Sequence, residues 1–379
     1  MTKNIVSFVV YFLIVLFISI VSIHKPDYNW DILPYVASVY SLESTDTNSI
    51  HKNTYEIVKS TLPEQAYLLL VSNNKYREEM HQCSKCFYQQ LPFYKIRPLY
   101  VALIYILYKL GINIIVSSFV ISSISCLLIS VICFFWLKLY CRDTILVFII
   151  SLLLAISPFL LSSATEASPN ALSGLILFSA LFSFARRKIF LFLGLMLLSV
   201  FARPDNLLPV ILFLLALTFY KGNGIIKKRI PIIITLILAI IFFFIINKWS
   251  GNYSWTVWFE HSFKDRIITP AEYSAQFNLN IYLKSFLKWA ILFKFTNVAL
   301  QIILFISILY MKSVHLKEIR NDLELMILLA AGISIPLHYI IYPVIDDKYF
   351  IAQYLMIDII FVKNLIEKNK LSFSKERIE

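Results

Sequence analysis

The chain has 379 residues, of which 59% are hydrophobic and 15% are charged, and its mean hydropathy is +0.74. Soluble domains carry about 25% charged residues, so this composition excludes a soluble globular protein and indicates a polytopic membrane protein. The net charge of +12 is spread over several short loops instead of forming a basic domain. This distribution excludes a nucleic-acid-binding surface.

Ten hydrophobic stretches are long enough, or nearly long enough, to cross the roughly 30 Å hydrocarbon core of a membrane. They predict an all-α polytopic membrane protein with about ten transmembrane helices, built as one domain over residues 1–379. The stretches between 170 and 220 are short, so their ends are poorly defined. The predicted spans are 5–23, 113–137, 143–161, 170–185, 187–201, 206–220, 230–247, 293–311, 323–342 and 349–362.

The distribution of lysine and arginine predicts the orientation, because these residues accumulate in short cytoplasmic loops. The first span follows Lys3 without a small-residue cleavage site, which indicates an uncleaved signal anchor. If the N-terminus is cytoplasmic, eighteen basic residues lie inside, and only Arg203 and Lys348 lie in short outer loops. The eighteen are Lys3, Lys138, Arg142, Arg186, Arg187, Lys188, Lys221, Lys227, Lys228, Arg229, Lys312, Lys317, Arg320, Lys363, Lys368, Lys370, Lys375 and Arg377. Both termini are therefore expected in the cytoplasm.

Residues 97–111 are also apolar, but a membrane crossing here would place the basic cluster 186–188 outside. We therefore expect a helix along the outer interface, or a bent lead-in to the second span. Two outer loops remain large, residues 24–96 and 248–290. The abundance of Ile, Lys, Asn and Phe is typical of a low-GC bacterial gene, which indicates a bacterial inner membrane. The size and acidic residues of the first outer loop predict an active site on the outer side of that membrane.

The first outer loop opens with two carboxylates, Asp27 and Asp31. An amphipathic helix is predicted over residues 31–42, with Asp31 and Tyr35 on one face at positions i and i+4. A carboxylate at the mouth of a membrane helix can serve as a general base towards a lipid-linked substrate. Asp31 also stands where a helix N-cap would stand, and Asp27 is a competing candidate for the base.

Cys83 and Cys86 lie in the same loop, which the predicted topology places in an oxidising compartment. This pair favours a local disulfide. A zinc site that includes His81, and two free thiols, are the alternatives. The other cysteines lie in or beside the second span and are expected to fill apolar space: Cys126, Cys133 and Cys141.

The second outer loop contains Trp249, Trp255 and Trp258, followed by the polar and apolar run 263–270. Tryptophans at this density are typical of a helix anchored at a membrane interface. The run behind them is typical of a mobile lid over an active site.

Two sequence elements resemble those of the C-type (GT-C) glycosyltransferases. They are Trp30-Asp31-x-x-x-Tyr35 and Arg97-Pro98-Leu99-Tyr100, the latter followed by Lys109-Leu110-Gly111. These polytopic enzymes transfer a sugar from a polyprenyl-phosphate carrier at the outer face of the membrane, and they include protein O-mannosyltransferases, aminoarabinose transferases and serotype-converting glucosyltransferases. The resemblance covers the whole topology, although each motif alone is loose. It implies an inverting displacement with Asp31 as the base and with Tyr35, Arg97 and Tyr100 at the substrate.

Two later elements are similar to further motifs of the superfamily. Ala202-Arg203-Pro204-Asp205 resembles an Arg-Pro-Asp element, and Lys348-Tyr349-Phe350 stands where many relatives have Arg-Tyr-Phe. The lysine departs from that pattern and lacks a bidentate grip on phosphate. The leaving phosphate needs fixed cations, and the resemblance implies Arg203, Lys348 and Tyr349 as substrate-binding residues. The alternative for the basic residues is contact with lipid headgroups.

The third outer loop, residues 165–170, lies where the superfamily often carries a second acidic residue. Glu166 is expected to orient the acceptor or to help hold a divalent cation, and Asn170 occupies a position that is Asp in relatives. The alternative is a capped loop in which Ser168 or Asn170 begins the next helix. The sequence has no dedicated metal motif, so the cofactor stays open.

These features predict a glycosyltransferase that uses a polyprenyl-phosphate sugar donor and a glycan or glycolipid acceptor, in surface polysaccharide assembly or modification. A nucleotide sugar is disfavoured, because the chain has no glycine-rich phosphate loop and no Asp-x-Asp motif. A polysaccharide polymerase and a flippase for lipid-linked glycans are the alternatives. Transporters commonly carry ionisable residues near the middle of the membrane. Asp358 is expected instead to reach the inner face.

Overall fold

The computed structural model describes residues 2–221, 229–292, 297–312, 321–344 and 346–375. Within these ranges the regular structure is helical, apart from one isolated bridge between Asp27 and Glu166. The prediction of an all-α protein is therefore confirmed. Some predicted features lie outside the described residues, namely Lys227, Lys228, Lys317, Arg320, Arg377 and residues 293–296 of the predicted span 293–311.

Twenty α-helices follow one another along the described ranges. They are α1 (Thr2–His24), α2 (Ile32–Tyr40), α3 (Thr47–Thr61), α4 (Glu64–Ser72), α5 (Lys75–Gln82), α6 (Ser84–Tyr88), α7 (Pro92–Lys95), α8 (Pro98–Lys109), α9 (Ile114–Tyr140), α10 (Thr144–Ala155), α11 (Pro158–Thr165), α12 (Asn170–Ala185), α13 (Ile189–Ala202), α14 (Leu207–Phe219), α15 (Ile230–Ser250), α16 (Trp255–Phe263), α17 (Leu279–Leu292), α18 (Asn297–Met311), α19 (Leu323–Ile341) and α20 (Ile351–Lys375). Short 3₁₀ turns at Pro204–Asn206 and Asp347–Phe350 precede α14 and α20.

Five helices of the described chain are long and apolar enough to cross a membrane: Ile5–His24, Ile114–Tyr140, Ile230–Ser250, Leu323–Ile341 and Asp347–Lys368. Helices α10 and α11 could form a sixth crossing, which is bent by 55°. Helices α1 and α15 leave large apolar side chains exposed along their length, such as Phe17 and Phe244. Exposed apolar surface of this extent suits contact with lipid. The protein is therefore a polytopic helical membrane protein.

Residues 97–111 form a helix, as expected, and this helix precedes α9 in the chain. Pro98 stands at the start of α8, where its missing N–H is no loss. The chain then turns at Gly111, whose φ of +90° favours glycine, and Asn113 caps α9 by accepting from the amides of Ile115 and Val116. Helix α8 packs against α9, and both an interfacial helix and a bent lead-in to that span stay predictions.

The first large loop, predicted over residues 24–96, folds into helices α2–α7, and its apolar core is shared with α8, α9, α12 and α13. The predicted amphipathic helix 31–42 is observed as α2, but the amphipathic expectation is wrong. Residues 32–39 are buried on every face of the helix, because α3, α7, α8 and α9 all pack against it. The loop thus presents Asp31 at the start of a fully buried helix.

Asp358, which the sequence suggested would reach the inner face, makes a contact between two helices. Its Oδ1 accepts a hydrogen bond from Nε2 of Gln301 at 2.9 Å, which ties α20 to α18. The pairing satisfies one oxygen of a carboxyl group that is buried between helices.

Helices α12 and α20 pack so closely at Gly174 that a substitution there can test the contact. A Cβ atom at Gly174 would lie 3.0 Å from the Cβ of Ile351, whereas nothing lies within 4 Å of a Cβ at Gly194. We expect Gly174→Ala to destabilise the fold by about 1–3 kcal/mol, since an overpacked contact must shift. The measurement is the midpoint of heat-induced aggregation in detergent, with Gly194→Ala as the matched control. Equal midpoints for the two variants would contradict this packing.

Candidate functional site

A cavity of about 440 Å³ is lined by residues of both large loops, predicted over 24–96 and 248–290. Its charged side chains are one carboxylate, Asp31, and three basic groups, Arg97, Arg266 and Lys288. The rest of the wall is aromatic, small and polar, or aliphatic: Phe93, Tyr94, Trp258, His261, Ser262, Phe263, Ser285, Tyr342, Val344 and Tyr349. A concave aromatic pocket with a few convergent charged groups is typical of a small-molecule site.

Asp31 directs its carboxylate away from the helix that it precedes. Its backbone is already helical, with φ −61° and ψ −20°, and its side chain makes no capping hydrogen bond to α2. Instead Oδ1 accepts a hydrogen bond from the Tyr94 hydroxyl at 3.1 Å. The interpretation of Asp31 as an N-cap is therefore wrong, and its carboxylate belongs to the cavity wall.

The surroundings of Asp31 make its carboxylate a better proton acceptor than a free one. Burial raises the pKa of Asp31 above its ordinary value, because the charged form loses hydration. Arg97, the Tyr94 hydroxyl, Arg266 and Lys348 act in the opposite direction and favour the ionised form. Basicity raised by burial, with cations that still permit ionisation, is the combination that a general base needs.

Tyr35 and Tyr100 lie behind the cavity wall. Both side chains are almost fully buried, and the ring of Tyr35 meets that of Tyr94 edge-on at 5.1 Å and that of Tyr100 at 4.8 Å. The Tyr100 hydroxyl donates to the Ser118 carbonyl at 3.4 Å. The two tyrosines therefore support Tyr94, which reaches Asp31, and neither of them lines the cavity.

Arg97 lies in the wall, as the sequence predicted. Its Nη1 donates to the carbonyl of Phe93 at 2.7 Å, and its guanidinium carbon lies 6.0 Å from the centre of the Trp258 ring. The first contact holds the side chain against α7, and the second brings it to α16. Arg97 thereby contacts both large loops at the cavity.

Arg203 is buried beneath the wall. Its guanidinium donates to both carboxylate oxygens of Asp205, at 3.1 and 2.5 Å, and to Oδ1 of Asn170 at 2.5 Å. The ring of Tyr349 lies over it at 4.1 Å. Asn170 begins α12 without capping it, so its side chain serves Arg203. Of this group, Tyr349 lines the cavity, whereas Arg203 and Asn170 do not.

Lys348 forms an ion pair with Glu166, and neither residue lines the cavity. The backbone bridge between Asp27 and Glu166 places Asp27 beside this pair. Asp346 accepts from the Lys348 amide at 3.1 Å, and Asp347 accepts from the Asn297 side chain at 2.9 Å. The ion pair of Lys348 is thus with Glu166, although Asp346 and Asp347 are its neighbours in the chain.

Most residues of the wall were not singled out as site residues from the sequence, and four of these carry groups that can bind or exchange a proton: Tyr94, His261, Arg266 and Lys288. The second large loop supplies three of them, and it meets Asp31 only through tertiary folding. One sequence feature could have indicated Arg266: it is a basic residue in the run 263–270, which follows an aromatic helix. That helix is present as α16.

Gln90 fastens the second loop to the first. Its side chain is fully buried, and its Nε2 donates to the carbonyls of Ile267 at 3.2 Å and Ile268 at 2.9 Å. Its Oε1 accepts from the Tyr76 hydroxyl at 3.0 Å. These contacts fix the backbone immediately after Arg266, so they set where that side chain enters the cavity.

A disulfide between Cys83 and Cys86 closes the turn that precedes Gln90, which confirms that prediction and excludes the zinc alternative. Lys85, inside this turn, pairs with Glu272 of the second loop at 2.8 Å. Both side chains are exposed, so the pair adds little stability. Like the contacts of Gln90, this pair joins the first loop to the second.

Within the described ranges, no group of three or more His, Cys, Asp or Glu side chains is arranged to hold a metal ion. Glu166 pairs with Lys348, and the bridge brings Asp27 to the same place. The divalent cation near Glu166 therefore stays a prediction.

Comparison of the chain with family models, curated proteins and solved structures finds no match. The resemblance to GT-C glycosyltransferases consequently depends on the motifs around Asp31 and Arg97 and on the predicted topology. Any function must be argued from the cavity itself.

The contacts of Gln90 predict that the second loop becomes accessible when they are removed. Gln90→Ala leaves two buried carbonyls and the Tyr76 hydroxyl without their partner, at a cost of about 1–3 kcal/mol for each stranded group. We expect faster trypsin cleavage after Lys264 and Arg266, because local opening exposes that backbone. Gln82→Ala, at an exposed position of the same loop, is the matched control. Unchanged cleavage in Gln90→Ala would show that other contacts hold the loop.

Proposed function

We propose that the protein is an integral-membrane glycosyltransferase of the GT-C type in a bacterial inner membrane. It transfers a sugar from a polyprenyl-phosphate donor to a glycan or glycolipid acceptor at the outer face, in surface polysaccharide assembly or modification. The observation that carries the proposal is one cavity whose wall contains a carboxylate, Asp31, and three cations, Arg97, Arg266 and Lys288. A base and an anion site must lie together for this transfer.

The proposed topology has about ten spans with both termini in the cytoplasm. The long helices and the bent α10–α11 pair supply six crossings, and four shorter apolar helices supply the rest: Asn170–Ala185, Ile189–Ala202, Pro204–Phe219 and Asn297–Met311. A helix as short as Ile189–Ala202 rises only about 21 Å at 1.5 Å per residue. It therefore needs a locally thinned membrane or interfacial flanks. The basic cluster 186–188 supports a cytoplasmic start for that helix.

In the proposed reaction, Asp31 accepts the proton of an acceptor hydroxyl while that oxygen attacks the anomeric carbon of the donor sugar. The bond between the anomeric carbon and the phosphate oxygen breaks, and its electron pair leaves with the polyprenyl phosphate. One new glycosidic bond replaces the broken one, and the configuration at the anomeric carbon inverts. No other reactant is required.

The charge on the departing phosphate requires cations that are already in place. Arg97 and Arg266 suit this role, since both line the cavity and both act on Asp31. Lys288 lines the same space. A direct contact from Lys348, as the resemblance implies, would require its ion pair with Glu166 to open. The polymerase and flippase alternatives have no specific observation in their favour.

Replacing the base separates the enzyme from a binding or transport protein. Asp31→Asn keeps an oxygen for the Tyr94 hydroxyl and removes no capping bond, so the variant should fold. It cannot take a proton, and we expect glycosyl transfer to fall by roughly 10²- to 10⁴-fold at saturating lipid-linked donor. The measurement is sugar transfer by purified protein at equal abundance.

Asp27→Asn is the matched control, because Asp27 lies in the same loop outside the cavity wall. It should cost far less activity. Equal activity of Asp31→Asn and the parent would remove Asp31 from the reaction and move the search for the base to Asp27 or Glu166.

The same carboxylate predicts a pH dependence. Because burial raises the pKa of Asp31 above its ordinary 3.8, activity should decline on the acid side at a pH above that value. Arg266 favours the ionised form, so Arg266→Gln should raise the pKa and move the acid limb of kcat/KM to higher pH. Lys264→Gln, on the same segment but outside the wall, should leave the limb in place. A shift to lower pH in Arg266→Gln would contradict the assignment.

A further inference from the structure

His261 is held rigidly in the cavity wall. It lies in α16, and only 8% of its surface is exposed. Its ring packs against Phe93 at 4.8 Å and against Tyr76 at 5.8 Å, measured between ring centres. Two aromatic neighbours in different orientations leave the imidazole little freedom to turn.

The hydrogen bonding of His261 fixes which nitrogen carries the proton. Its Nδ1 lies 3.1 Å from the backbone N–H of Ile267 and accepts a hydrogen bond from it, which requires an unprotonated Nδ1. Burial and the neighbouring Arg266 lower the pKa of His261 to about 3. The ring is therefore neutral at physiological pH, and its one proton lies on Nε2.

The Nε2–H group of His261 has no acceptor among the described residues. Some polar side-chain atoms of the described residues are inaccessible and have no hydrogen-bond partner, such as Nδ1 of His338, but Nε2 of His261 is not one of them. The open space that His261 lines is the cavity, which Arg97 and Arg266 also line. A donor without a protein acceptor thus shares this space with two cations, and all three groups suit an anionic oxygen.

We infer that His261 is a ligand-binding residue whose Nε2–H donates a hydrogen bond to a phosphoryl oxygen held by Arg97 and Arg266. The inference rests on the proposed function and assigns a residue to its donor phosphate. A neutral donor contributes a hydrogen bond without adding another positive charge. The carrier phosphate is therefore bound during the reaction, and it dissociates more easily than it would if His261 were replaced by a cation.

Two isosteric substitutions separate ligand binding from the anchoring of Ile267. In His261→Asn the amide oxygen takes the place of Nδ1 and still accepts from Ile267, but the Nε2 donor is lost. In His261→Gln the longer amide places an N–H donor near the position of Nε2 and loses the Nδ1 acceptor. Trypsin cleavage after Arg266 reports the state of the anchor in each variant.

Binding is measured by the change in tryptophan fluorescence on titration with a short-chain polyprenyl monophosphate in detergent. Trp258 lines the cavity, and Trp258→Phe identifies its part of the signal. We expect His261→Asn to weaken binding by roughly 10- to 150-fold, as for a lost hydrogen bond to a charged group, and His261→Gln to bind closer to the parent. Inorganic phosphate as a second probe shows whether the lipid chain is needed.

The outcomes are distinct. If the parent binds polyprenyl phosphate and His261→Asn binds it equally well, the inference is overturned and the proposed function stands. If the parent itself does not bind, both are overturned. If both variants bind weakly and both are cleaved faster, His261 is only an anchor, which also overturns the inference. A signal from inorganic phosphate that is lost in His261→Asn supports a site for the phosphoryl group alone.

Discussion

The buried amide of Gln90 is the contact on which the candidate site depends. It joins the Tyr76 hydroxyl of the first large loop to the carbonyls of Ile267 and Ile268 in the second. Burial of an amide is favourable only when all its hydrogen-bond partners are present, because each unpaired group loses its hydration and gains no hydrogen bond in exchange. The loops can therefore meet in essentially one arrangement. That arrangement brings Arg266 into the cavity of Asp31, two groups that are remote in the chain.

Burial of Asp31 has a consequence for the order of events in the proposed reaction. The cations that oppose the rise of its pKa, Arg97 and Arg266, are the groups proposed to hold the donor phosphate. A bound phosphate would offset their charge and add negative charge nearby, which raises the pKa of Asp31 further. Its carboxylate would thus be the stronger base when the donor is present. An acceptor hydroxyl would then lose its proton only where a sugar is ready to receive it.

Hydropathy was sufficient to predict the helical class, the long spans and helix α8, because each depends on local composition. Asp31 and Arg97, which the resemblance implied at the substrate, line one cavity, and their role there stays a prediction. His261 and Arg266 could not be placed, since only the docking of the loops brings them to Asp31. The amphipathic expectation for 31–42 failed for a different reason: residues 32–39 are apolar almost all round, which is typical of a buried helix.

The two later motifs illustrate how a resemblance can locate residues without fixing their contacts. Lys348 and Tyr349 are neighbours, yet the first pairs with Glu166 and the second lies on Arg203 at 4.1 Å. These contacts hold the start of α20 at two points and set the position of the Tyr349 ring in the wall. Arg203 is only 5% exposed, so separating it from Asp205 would leave a buried guanidinium without its carboxylate partner, which is unfavourable. Arg203 therefore acts on any ligand through Tyr349, whereas Arg97 and Arg266 stand at the cavity itself.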